Sequence, residues 1–311
     1  MDVEPTTATT AKGASGPPDW EYGRKAVLAV WKACRERDLF PSFFLHPEAI
    51  LAQAELFRDL EKQGATLGLH LHPQKWSAYR HGGKKYFKDF GLLNAQETRE
   101  ILKETIPIFE KAFGHHPFYF RPGTFSFNDA QFAILAELGF IGGSVSAPER
   151  VVPHKSAVWA GAELDPHYAN DVFRVTRGDS KFIELPLSVD TSTLFTTGQV
   201  KHYADLRADT VWSGYSLTYT DIANNIVAQM QERNPAIKTL VSVLHNDEAY
   251  FDAEDPFAQN MIQSFDAQIQ ACKDAGLKYA GVTAATVIEM AKTTLVRAMP
   301  QVSLQASMYE R

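Results

Sequence analysis

The sequence predicts an α/β barrel, closed as one domain over residues 1–311. Short apolar strands alternate with longer amphipathic segments, the pattern of parallel strands joined by right-handed helical crossovers. Roughly seven or eight such units fit a closed barrel better than an open sheet. The chain has 311 residues, 45% of them hydrophobic, enough to bury a large core.

The first strand is Met1-Asp2-Val3-Glu4. It is short beside a usual strand of about five or six residues, and residues before Met1 are expected to complete it. Residues 6–19 are small, polar and rich in Gly and Pro, and form a loop. A helix over 22–38 carries Val27, Trp31 and Cys34 on one face, and a short aromatic strand covers 40–45. A second helix with Ile50, Ala54 and Phe57 ends at Gly64, and 65–72 is the next strand. Leu102, Ile106, Phe109 and Phe113 form a helical stripe before a strand at 118–121. Asn128 caps a helix reaching Leu138, stopped by Gly139. Strands are expected at 140–146, 182–187 and 239–245. Met261, Phe265, Ile269 and Cys272 mark a long helix, 277–282 a last strand, and Thr283 the cap of a final helix. The stretch 147–219 departs from the pattern. It holds His154, Trp159, His167, Tyr168, His202, Tyr203, Trp212 and Tyr215, and reads as an insertion near the site that covers a cleft or as ordinary surface packing.

The net charge is −6 with both signs spread along the chain, so no basic cluster suits nucleic acid. No apolar run approaches membrane-spanning length. Cys34 and Cys272 fall on helical stripes and read as buried, reduced thiols. A charged-then-apolar leader is missing at the start, from which a cytoplasmic location is expected.

Barrel chemistry gathers at the C-terminal ends of strands. Alternation puts Asp2 and Glu4 on one face of the first strand, where they can divide metal ligation and proton transfer or remain a solvated acidic pair. His70 and His72 likewise share a face, opposite Leu67, Leu69 and Leu71, and two imidazoles with a carboxylate make a three-ligand divalent metal site. Arg121 ends another strand, where a guanidinium holds a carboxylate ionised or forms a surface salt bridge. His245 ends a fourth strand and can protonate a leaving amine, with Asn246, Asp247 and Glu248 placed to orient it or bind substrate.

These segments, in this order, resemble the polysaccharide deacetylases, the NodB-like carbohydrate esterases. Residues 1–5 (MDVEP) resemble the first motif, 64–73 (GATLGLHLHP) the metal-histidine strand, and 120–140 the arginine strand, turn and helix. Residues 183–190 resemble the Glu-x-Pro segment and 241–247 the Leu-His motif. The resemblance implies a distorted (β/α) barrel and a divalent metal, usually zinc, that polarises an acyl oxygen and activates water. It makes Asp2 the general base, Arg121 its tether and His245 the general acid. Glu4, His70 and a second histidine become the metal ligands. The family's second histidine falls four residues after the first, where this chain has Gln74, so His72 takes the role, with His81 the alternative. The arginine motif is one residue shorter here, which places the oxyanion-holding N–H at Gly123 or Thr124. Trp76, Phe125 and Asp247 are expected to contact substrate. The reaction implied is release of an acyl group, acetyl first, from an N-acetylated sugar. The substrate is an oligosaccharide or small molecule, and the oligomeric state stays open. The alternatives are a small non-sugar amide as substrate, or a catalytically silent carbohydrate-binding relative.

Overall fold

The computed structural model describes residues 1–10, 14–197, 200–210 and 217–298. In chain order the strands are β1 (Asp2–Val3), β2 (Ser42–Leu45), β3 (Thr66–Leu71), β4 (Tyr119–Pro122), β5 (Gly142–Gly143), β6 (Val151–Val152), β7 (Ala157–Val158), β8 (His167–Tyr168), β9 (Ile183–Glu184), β10 (Val189–Thr197) and β11 (Val200–Asp205). The helices are α1 (Trp20–Arg35), α2 (Pro47–Lys62), α3 (Pro73–His81), α4 (Ala95–Phe113), α5 (Gln131–Glu137), α6 (Tyr219–Arg233), α7 (Pro256–Asp274) and α8 (Ala284–Thr294).

The main sheet has seven strands in the order β1-β2-β3-β4-β5-β9-β8. All neighbours are parallel except the edge strand β8. The ring closes through residues 241–245. The Asp2 N–H donates to the Leu244 carbonyl at 2.7 Å and Asp2 bridges His245 in parallel. On the other side, the Ser188 N–H donates to the Val241 carbonyl at 3.0 Å and the Ser188 hydroxyl accepts from the Val241 N–H at 2.8 Å. The result is a distorted α/β barrel in which this stave is irregular, because a side chain replaces part of the ladder.

Two strand expectations are therefore corrected. Residues 239–245 form the closing stave but not a regular strand: among the described residues they are joined by the Asp2–His245 bridge and the Ser188 contacts. Residues 277–282 lie outside the sheet: a Cβ at Gly281 would meet the Asp38 carbonyl oxygen at 2.3 Å, so this stretch covers the α1–β2 connection. The stretch 147–219 is also more regular than expected. It supplies β8 and β9 to the main sheet and builds a second, antiparallel sheet in the order β10-β11-β6-β7. Trp212 and Tyr215 lie outside the described residues.

Local sequence explains the helix limits. Asn94 and Glu97 form a capping box on α4, and Gly114 ends it with φ 80°. Thr283 caps α8 as expected. Asn128 instead accepts the Ala130 N–H at 3.0 Å in a turn, and α5 begins at Gln131. On β3, Leu67, Leu69 and Leu71 pack into the core beneath the helices. His70 and His72, on the other face, are thereby turned into the barrel mouth. Cys34 and Cys272 are buried free thiols. Among the described residues no helix is long and apolar enough to cross a membrane.

Candidate active site

Glu4 follows β1 and is held by its backbone. The Asn246 Oδ1 accepts the Glu4 N–H at 2.8 Å and its Nδ2 donates to the Glu4 carbonyl at 3.3 Å. The Glu4 Oε1 then lies 3.1 Å from His70 Nε2 and 3.0 Å from His72 Nε2. All three residues are buried, and their ligand atoms lie within 4.8 Å of one another. His70 Nδ1 is 2.9 Å from the Arg121 carbonyl, which can only accept. That contact fixes the ring, and its Nε2 is turned toward the Glu4 carboxylate. Burial, outweighing the pull of Glu4, lowers the His72 pKa to about 4, so this ring is neutral. Burial would raise the Glu4 pKa, but His72, Lys75 and His70 hold it well below the usual range. Two imidazoles and one carboxylate, with the Arg121 carbonyl fixing one ring from behind, could hold a divalent metal ion.

The second cluster adjoins the first. The Arg121 guanidinium donates to Asp2 Oδ1 at 3.1 Å and to the Ser144 carbonyl at 3.2 Å, with both ionic side chains buried. Burial would raise the Asp2 pKa, yet Arg121, His70 and His245 keep it below its ordinary value. His245 Nε2 stands 3.8 Å from Asp2 Oδ2, and its Nδ1–H donates to Asp209. Burial disfavours the imidazolium, but Asp209 outweighs it, with help from Asp2 and Asp247, and raises the pKa to about 9. One carboxylate is thus kept ionised and one imidazole kept protonated beside the three-ligand group.

No family model matches the sequence, and no curated protein matches it. Solved structures do. One is a protein from Mycobacterium smegmatis assigned as a polysaccharide deacetylase, 17% identical, with TM-score 0.54, covering 91% of this chain and 84% of its own. Another is a protein from Pseudomonas aeruginosa PAO1 with the same assignment, 15% identical, TM-score 0.54, covering 94% and 83%. A third is Puue allantoinase, 14% identical, TM-score 0.55, covering 94% and 83%. The chain has the polysaccharide-deacetylase fold.

Within this polysaccharide-deacetylase fold the remaining expected residues divide. Gly123 packs on the site: a Cβ there would come within 2.3 Å of the His72 ring. Thr124 and Phe125 both have positive φ, 56° and 55°, a costly conformation for residues with side chains, and they form the turn after β4. Asp247 is half-buried beside His245. Trp76 is corrected: its side chain is buried and its indole donates to Glu104 at 3.1 Å, facing the core and not a substrate. Phe125 is corrected in the same way, being 4% exposed, with the Arg121 and Arg150 guanidinium groups 5.7 and 5.4 Å from its ring centroid. His81 pairs with Glu104 at 2.6 Å and Gln74 with Asp89 at 3.0 Å, so neither joins the triad.

Sequence reasoning missed two contributors. Asp209, in the stretch read as irregular, holds His245. Lys75 is 3% exposed, and its ammonium donates to Glu4 Oε2 at 2.8 Å and to the Ser15 carbonyl at 2.8 Å. It fixes Glu4 so that Oε1 alone faces the histidines. The available signal was its place one helical turn after His72, on a helix started by Pro73.

Proposed function

We propose that this chain is a metal-dependent hydrolase, one catalytic barrel domain, that removes an acyl group from an amide, with an N-acetylated sugar as substrate class and acetyl as the acyl group. The observation that carries the reading is the juxtaposition of the Glu4–His70–His72 group with a base and an acid in opposite protonation states. A divalent cation, zinc first, held by Glu4, His70 and His72 would supply Lewis-acid polarisation of the acyl oxygen. Asp2, kept ionised by Arg121, accepts the proton of the attacking water. The backbone N–H of Gly123 or Thr124 holds the developing oxyanion. His245, kept protonated by Asp209, donates to the leaving nitrogen, and acetate departs.

The test measures acetate release from N-acetyl sugars and small amides, with nitrophenyl acetate as an activated ester. His245→Ala should slow the amide by about 10²–10⁴-fold and the ester far less, because a good leaving group needs no acid. Equal slowing of both substrates would remove His245 from the acid role. A second reading, a catalytically silent carbohydrate-binding relative, is favoured by one contact: the Lys75 ammonium already neutralises Glu4. Metal analysis separates the two, since the hydrolase requires about one equivalent of a divalent ion.

A further inference from the structure

Beyond His245 the chain turns through Asp247, Glu248, Ala249 and Tyr250, with the Tyr250 N–H donating to the Glu248 carbonyl at 2.9 Å. Asp247 and Glu248 are half-buried. Of the charges that act most strongly on the two carboxylates, His245 is the cation. That imidazolium is already engaged, by Asp209 through Nδ1 and by Asp2 on the Nε2 side. Burial, with the repulsion of Asp247 and Asp209, pushes Glu248 up to about 7.

Tyr250 supplies an independent observation. It is 4% exposed, yet its hydroxyl has no hydrogen-bond partner among the described residues. Burial and the carboxylates of Asp209, Glu248 and Asp247 raise its pKa, so the hydroxyl sits in the field of that group. The Asp209 Oδ1 is buried and likewise unpartnered. Buried polar atoms are normally satisfied, and an unmet set at a site mouth marks a missing partner. Tyr22, on which the Glu248 and Asp247 carboxylates also act, packs edge-on against Phe251 with ring centroids 5.1 Å apart, so the group has an aromatic neighbour.

What these groups lack is a small cation with several N–H donors. We propose that Glu248, Asp247 and Tyr250 form a subsite for a primary ammonium, so that the preferred amide substrate carries a free amine near its N-acyl group. An ammonium offers three donors and one charge, enough to satisfy both carboxylates and the phenol oxygen. The substrate half of this proposal rests on the hydrolase reading; the binding half does not. Two sources share the chemistry: an amino-sugar oligomer already deacylated at one residue, or a short N-acylated diamine.

Two substrate pairs distinguish the sources. Mono-deacetylated chitobiose is compared with di-N-acetylchitobiose, and N-acetylputrescine with N-butylacetamide. In at least one pair the amine-bearing member should show kcat/KM higher by about tenfold or more, and the pair that responds names the source. Glu248→Gln should collapse the preference to about threefold or less, and Tyr250→Phe should lower it in part, whereas Glu254→Gln on the exposed surface should keep it. Putrescine binding to the metal-loaded protein, followed by calorimetry at low salt, should weaken about tenfold in Glu248→Gln. If the protein turns over neutral and amine-bearing substrates alike and putrescine does not bind, the subsite is wrong and the hydrolase stands. If putrescine binds through Glu248 but no amide is cleaved, the hydrolase reading fails and the subsite remains. Binding unchanged in Glu248→Gln overturns the subsite in either case.

Discussion

A Cβ at position 123 would sit 2.3 Å from Cε1 and Nδ1 of His72, so glycine there lets the imidazole lie against the turn after β4. Gly123→Ala should push that ring away from Glu4 and weaken divalent-metal affinity by about ten- to a hundredfold, the range for a disturbed ligand support. Competition with a coloured chelator measures this, and unaltered affinity would remove His72 from the ligand set. The proton-transfer residues make a second prediction. Asp2 titrates below its ordinary value and His245 near 9. The working form has Asp2 ionised and His245 protonated. The rate should therefore rise as pH climbs through the lowered Asp2 pKa and fall as it climbs through about 9. Stability follows the same signs. The His245 contribution is fully present below its ordinary 6.5 and is lost as pH rises through about 9. The Asp2 contribution is present above its ordinary 3.8 and is lost as pH falls through the folded value. Asp209→Asn removes the main raising cause, so the alkaline limb should move toward neutral pH. An alkaline limb that stays in place would assign it to another group.

The strand β3 and the helix α3 that follows it show how the sequence can mislead about neighbours. Strand alternation puts His70 and His72 together, because a period of two with Leu67, Leu69 and Leu71 in the apolar core turns both imidazoles to the opposite face. The helix beyond obeys a different period, and its side chains scatter. Lys75 turns back to Glu4, while Trp76 and His81 turn away to Glu104. His81→Ala should consequently leave metal content unchanged and His72→Ala should lose most of it, as elemental analysis of the purified variants would show. The reverse outcome would move the third ligand to α3. The same contrast governs what else was legible. Asp2, Glu4, Arg121 and His245 could be picked out as neighbours because strand ends are a small set of positions. Asp209 was not, because it lies past β11, in a connection whose pairing depends on contacts far away in sequence. The 277–282 stretch has strand-like residues, but nothing local says that it packs against the backbone at Asp38 and Leu39 instead of joining the sheet.

The three candidate ligands come from the ends of β1 and β3, which flank β2. β1 is also where the barrel closes, through Asp2 to residues 244 and 245, and Asn246 grips Glu4. An ion held by Glu4, His70 and His72 would therefore tie the closing seam to the centre of the sheet. Lys75 opposes this: it compensates Glu4 when no ion is bound and repels one that arrives. The attraction of two imidazoles and a carboxylate outweighs a single ammonium directed at the other carboxylate oxygen, so net stabilisation is expected. At a free zinc concentration of about one hundred times Kd the gain is about 2.7 kcal/mol. For a chain of this size that corresponds to a rise in Tm on the order of 5 °C. Calorimetric scans with zinc and with a chelator should differ by that amount in the wild type and coincide in His70→Ala. Lys75→Met should lower the Tm of the chelated protein, which loses its buried partner for Glu4, and widen the shift that zinc produces. A Lys75→Met protein that is as stable as the wild type in chelator, with an unchanged zinc shift, would mean that the ammonium and the ion do not compete for Glu4.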